Sequence, residues 1–431
     1  VGLIVASIGI HRWSAGAKLE AAIQRVHDAG HPVTYAELDE YYQWPASGEN
    51  RADILAEAFE ATVEPDEDIL EEIPFFGDDA LLHRTVPFSE ATVRLMRSHS
   101  EQNSEAIDLV YESFQYEECR FPIDLSVGPL VELDHLDPIR TLAKTLALSS
   151  LLATLEGETD AAARHITGIF ELANSLNAEP VLLSQVHRFA INLNAIESLE
   201  QSLNRVEFTS DEMGLLQESL IEADLDEPLV QGFIGERCWW DIGASVGWSD
   251  DPRWDFDDEM GKRVVFMIGL RPTGLFHAES TQWHETYDEL MAAASLPMNQ
   301  RADASRSIAD RVSKRQALGV NSAILIPPVA HSLVFDVRLH AQLRAAIVAL
   351  AAARFESDNG AYPESATQLT PEYLDAVPID PFGGAPIQYK RLENGFVAYS
   401  LAQNLVDDGG VESDSVRDGW REGDLTFIVE R

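Results

Sequence analysis

Residues 377–389 read VPIDPFGGAPIQY, and no other stretch restricts the fold of the chain as strongly. Pro378, Pro381 and Pro386 remove three backbone donors and push the residues before them toward extended geometry, so no helix crosses this segment. Gly383 and Gly384 permit a tight reversal, and an aspartate placed like Asp380 accepts backbone amides in such turns. The chain must therefore turn here and leave in a fixed direction. Before the turn, residues 325–359 form an alanine-rich run that predicts one long helix, beginning after Pro327-Pro328 and stopping in Asp358-Asn359-Gly360. After it come three short runs of strand composition, APIQYKRL, GFVAYSLA and LTFIVE. Asn394-Gly395 between the first two reads as a hairpin turn. Residues 321–431 are thus expected to be a long helix packed on a small antiparallel sheet.

The preceding 13–320 read as a helical body. Residues 15–30 carry Leu19, Ala22, Ile23 and Val26 at helical spacing and end at a glycine. Thr34 with Glu37 three residues later is a capping box opening a short helix that ends before Pro45. Residues 50–63 predict a third helix, 64–79 an acidic loop, and 89–115 a further helical stretch. Prolines 122, 129 and 138 then mark a long connection. From 140 to about 225 apolar residues recur at three and four, with breaks at Glu156–Asp160 and Asn177–Pro180. Paired helices with such turns resemble tetratricopeptide-like hairpins, although the full repeat signature is absent. The expected fold class is α+β, mostly α. Tryptophans 239, 240, 248, 254 and 283 read as packing or as a cap over a domain junction.

With 73 acidic and 31 basic residues among 431, the formal charge is −42, which repels phosphate backbones and argues against nucleic acid as a partner. Cys119 and Cys238 have no metal-type spacing; they read as two unrelated thiols, with one long-range disulfide as the alternative. The opening VGLIVASIGI is apolar and uncharged, then meets His11, Arg12 and Trp13. Ten residues are half of the ~20 that a membrane-spanning helix needs. A buried strand or core helix is one reading; the favoured one takes residues 1–12 as the end of a membrane anchor, because an aromatic and basic boundary suits a membrane interface.

A resemblance gives the terminal unit a context. Phe355, Asp358, Gly360, Tyr362, Pro363, Leu369, Tyr373, Leu374, Pro378, Asp380, Pro381, Phe382, Gly383, Pro386, Tyr399 and Ser400 occur in the order found in the C-terminal half of type II secretion major pseudopilins. The unit resembles that family, and the resemblance implies the pilin-like helix on a small sheet. The whole chain resembles bacterial envelope proteins that carry an anchor, a helical body and this ending. Two departures stand out: the motif helix lies far from the N-terminus, and Asp336 and Arg338 occupy positions where lipid or a filament core would take apolar side chains. Major pseudopilins bind calcium in the loop that corresponds to residues 399–418, so the resemblance implies calcium here. Ser400, Asn404, Asp407, Asp408 and Asp414 supply the hard oxygen ligands that calcium takes, while Ala402 and Leu405 replace glycines of the family loop. A solvated acidic turn without an ion is the alternative.

Two further patterns bear on chemistry. Gly243 to Gly247, GASVG, matches the Gly-x-Ser-x-Gly nucleophile elbow, but a proline and no helical period follow, so Ser245 reads as a turn residue. His284 and Asp288 lie at helical spacing near His277 and Glu285 without a zinc-type motif, and read as surface groups. The functional expectation is a non-catalytic scaffold of the bacterial cell envelope, its soluble part outside the cytoplasm, with a protein partner on the helical body and an N-terminal anchor in the membrane. A serine hydrolase built on Ser245 and a pilus or pseudopilus subunit are the alternatives.

Overall fold

A computed structural model describes residues 2–77, 81–225, 229–238, 274–314, 322–411 and 423–431. Thirteen α-helices and three strands lie among the described residues, which is the mostly α, α+β architecture expected.

One helix, α1 (Gly2–Asp28), runs through the apolar opening and the amphipathic stretch without a break, since neither proline nor glycine-rich sequence interrupts them. No helix among the described residues is long and apolar enough to cross a membrane. α2 (Tyr35–Tyr41) opens on the predicted capping box: Thr34 Oγ1 accepts the Glu37 amide, and Glu37 Oε2 accepts the amides of Thr34 and Val33. α3 (Arg51–Ala61) is capped by Asn50. The stretch 89–115, expected to be continuous, is two helices, α4 (Glu90–Gln102) and α5 (Ser104–Ser113). Asn103 divides them because its side chain pairs with both backbone groups of Val63, a partner 40 residues away.

α6 (Leu136–Glu156), α7 (Thr159–Asn174), α8 (Leu182–Leu203) and α9 (Ser210–Leu225) occupy the regular region; short connections fold α7 back on α6 and α8 on α7, and α9 returns along α7. Their apolar stripes meet in one core with Leu142, Leu146, Ile166, Ile169, Leu199 and Leu216. α10 (Leu229–Arg237), α11 (Leu275–Ala294) and α12 (Met298–Lys314) complete the body, with α1 packed along α11.

The long helix, α13 (Ser322–Asn359), starts earlier than predicted and carries Pro327 and Pro328 inside its first two turns. The body's own packing covers this helix on several sides, α9 and α12 included. The strands β1 (Gln388–Leu392), β2 (Gly395–Ser400) and β3 (Leu425–Glu430) form one antiparallel sheet in the order β1-β2-β3 and lie against α13. Leu339, Leu343, Ile387, Phe396, Ala398 and Val429 belong to the same core as the body helices, so the hydrophobic interior is continuous across both parts. The hairpin itself is displaced by one residue from the expectation. Leu392 pairs with Gly395, so Glu393 and Asn394 make the turn. Gly395 is needed for another reason, because a Cβ there would stand 1.8 Å from the Val429 carbonyl oxygen, and only glycine lets β3 approach so closely.

Candidate functional site

The residues of the terminal unit that carry the pseudopilin resemblance are partners of one another. Tyr373 donates its hydroxyl to Asp358 at 3.0 Å, and its ring meets that of Phe355. Tyr362 packs edge-on against Phe396, and the Tyr389 hydroxyl donates to the Pro363 carbonyl. At the centre of the turn, Asp380 is 1% exposed. Its Oδ1 accepts the Phe382 amide at 2.9 Å and the Ser400 hydroxyl at 2.6 Å, while Oδ2 accepts the Leu401 amide at 3.0 Å. The backbone closes around it, with Gly384 at φ 69° donating to the Asp380 carbonyl. Asp380 thereby fastens the proline turn to the far end of β2.

Beyond β2 the acidic loop keeps an unusual backbone. Ala402 and Leu405 have φ of 53° and 56°, a left-handed conformation that costs a residue with a Cβ roughly 1–2 kcal/mol. These are the two positions where the resembled loop has glycine. Ser400, the first of the expected ligands, is buried and committed to Asp380. Asn404 accepts the Val406 amide, and Asp407 accepts the Tyr399 hydroxyl and the Gly409 amide through Oδ1. Asp408 is exposed, and Asp414 lies outside the described residues. Lys390 donates to the Gly409 carbonyl at 3.0 Å.

Asp424, just before β3, was not anticipated from the sequence; its only signal there is its position at the close of the acidic loop. It is 3% exposed, and its Oδ2 accepts the Gly410 amide while the buried Oδ1 meets no hydrogen-bond donor. Burial raises its pKa, amides lower it, and the carboxylates of Asp408 and Asp407 raise it again. An orphaned carboxylate oxygen is the kind of ligand a hard cation takes, and the charges of Asp408 and Asp407 act on it. Among the described residues no group of three or more histidine, cysteine, aspartate or glutamate side chains is gathered to hold a metal. Backbone carbonyls would have to complete a calcium shell.

A second polar assembly joins this unit to the body, and it accounts for the charge on α13 that looked misplaced in the sequence. Asp336 is 2% exposed; Arg301 of α12 donates to it at 2.8 Å, and His340 lies 3.6 Å away one turn along. His340 Nδ1 lies 2.8 Å from Asp224 of α9. Asp224 also receives Arg344 on both oxygens at 3.0 Å, and Arg344 donates onward to the Ile379 carbonyl in the proline turn. Burial acts against the His340 imidazolium, but the hydrogen bond to Asp224 and the neighbouring Asp336 carboxylate outweigh it and carry its pKa up to about 9. Burial likewise opposes ionised Asp336, and His340 and Arg301 outweigh it, holding the carboxyl below its ordinary range.

The remaining expectations separate. Ser245 and tryptophans 239, 240, 248 and 254 lie outside the described residues. His284 is buried, not on the surface, and burial followed by the charges of Arg237 and Arg25 lowers its pKa to about 4. Asp288 accepts from Arg237 at 2.8 Å, and Glu285 faces Arg25. Cys119 and Cys238 are both free thiols, and burial pushes Cys119 up to about 12. Compared with known proteins, the chain matches no family model, no curated protein and no solved structure.

Proposed function

We propose that the chain is a non-catalytic scaffold of the bacterial cell envelope, in which the helical body holds a protein partner and a pseudopilin-like terminal unit braces one end. The observation that carries this reading is the burial of α13. From Ile326 to Ala353 most of its side chains are covered by α9, α12 and the strands of this same chain. A helix covered in this way braces its own chain and offers little surface for stacking on neighbours in a filament. The mutual pairing of Asp358 with Tyr373, and of Asp380 with Ser400, supports the pseudopilin-like character of the unit. An N-terminal anchor upstream of Trp13 belongs to the same proposal.

Calcium at the last loop is part of this reading. Asp424 through its orphaned Oδ1, with Asp407, Asp408 and Asn404, would hold the ion, which supplies charge compensation for the loop carboxylates. A ligand bound only by the folded state raises the melting temperature, by an amount that grows with the logarithm of its concentration relative to Kd. Melting in calcium and in chelator should differ by several degrees in the parent protein and by none in Asp424→Asn; an unchanged midpoint in the parent would remove calcium from the proposal. Sedimentation with calcium tests the scaffold itself, since growth of long polymers would favour a filament subunit. Labelling by a serine-directed probe that disappears in Ser245→Ala would favour a hydrolase.

A further inference from the structure

α3, the connection after Cys119 and the start of α6 enclose an open groove of about 590 Å³. Its walls are apolar: Phe59 and Phe121 stack with centroids 6.3 Å apart, and Ile123 and Leu130 continue the surface. The polar groups along it share one property. Asp124, Glu132 and Asp134 are carboxylates, and the fourth group is His135.

His135 is held from behind. Phe121 stacks on its ring at 4.1 Å, and Nε2 lies 3.0 Å from Glu179, a carboxylate with 0% exposure that also receives the Ser184 hydroxyl. Nε2 faces Glu179, while Nδ1 makes no hydrogen bond although the residue is only 7% exposed. Glu132 and Asp134 meet no cation or donor among the described residues. The nearby arginines are engaged elsewhere, Arg51 with Glu171 and Arg120 with Asp39.

The groove thus presents apolar walls and three carboxylates, with no lysine or arginine among its lining residues. An anionic occupant is repelled, and a neutral one would desolvate carboxylates without compensation. We propose that this groove binds a short peptide segment of a protein partner in which a lysine or arginine stands beside apolar residues, the cation meeting Glu132 and Asp134. The inference rests on the scaffold reading and gives it a binding site.

A synthetic peptide alternating leucine and arginine, titrated calorimetrically into the full chain, tests this. Glu132→Lys with Asp134→Lys changes two exposed carboxylates and should weaken binding by about tenfold or more. Glu90→Lys with Glu101→Lys, on α4 and outside the groove, makes the same change in net charge and should weaken it less than about twofold at physiological salt. Equal losses in the two pairs would reveal attraction to the acidic chain as a whole and overturn the site, as would a peptide that does not bind. Arginine amide binding as tightly as the peptide would overturn the peptide as occupant. The measurement involves neither calcium nor membrane, so a failed calcium test with intact peptide binding would count against the terminal unit's role alone.

Discussion

Two buried aspartates tie the terminal unit down, one where α13 meets the body and one inside the proline turn, and they are neutralised by opposite means. Asp336 is met by cations, Arg301 and His340, brought in from α12 and one turn along its own helix. Asp380 is met by neutral donors alone, the amides of Phe382 and Leu401 and the Ser400 hydroxyl. The first arrangement depends on full charges and therefore on pH and on the integrity of both partners. The second depends on backbone geometry that prolines and glycine have already fixed. A fold can thus seat one module through a charge-sensitive joint while keeping the module's interior insensitive to charge.

Truncation is the strongest way to break this comparison. Asp336→Ala leaves the buried Arg301 guanidinium without its carboxylate and takes from His340 one of its two, and should cost about 4 kcal/mol. Asp380→Ala orphans two amides and a hydroxyl, all uncharged, and should cost about 2–3 kcal/mol. Urea titrations measure both; a larger loss at Asp380 would reverse the ranking.

Alkaline pH should separate the two sites further. The folded pKa of His340, about 9, lies above the ordinary unfolded value of ~6.5, so its stabilisation is complete below about pH 6.5 and fades as pH rises through 9. Stability should fall by about 3 kcal/mol across that interval. His340→Gln should flatten this part of the curve, whereas Asp380→Ala should leave its slope intact. The same slope in His340→Gln and in the parent would place the titrating group elsewhere.

The smallest effect has the opposite sign. Leu405 is exposed and left-handed, so Leu405→Gly relieves strain without emptying any core and should raise stability by about 0.5–1 kcal/mol. A loss instead would mean that the Leu405 side chain contributes contacts worth more than the strain.

Much of this architecture is legible locally. The Thr34-Glu37 cap, the hairpins from Leu136 to Leu225 and the turn at Asp380 depend on residues within a few positions of each other, where periodicity and proline geometry speak directly. Boundaries fail where a distant group intervenes: Val63 divides the stretch at Asn103, and Val429 explains Gly395 better than the hairpin turn does. Asp336 looked like a charge in the wrong place because its partners lie 35 residues back in Arg301 and, through His340, 116 residues back in Asp224. Asp424 and the His135–Glu179 pair left almost no trace in the sequence, since an unmatched oxygen or a buried histidine–carboxylate contact becomes visible only when the surrounding shell is known.

The sequence by itself determined that a helical chain ends in a rigid turn and a small sheet, because backbone restriction by proline and the spacing of apolar residues are properties of neighbouring residues. Only the tertiary structure decided which charges are neutralised, which glycine is irreplaceable and which groove is lined by carboxylates without a lysine or arginine. Those outcomes depend on distances between segments far apart in the chain, and such distances exist only after the core has closed.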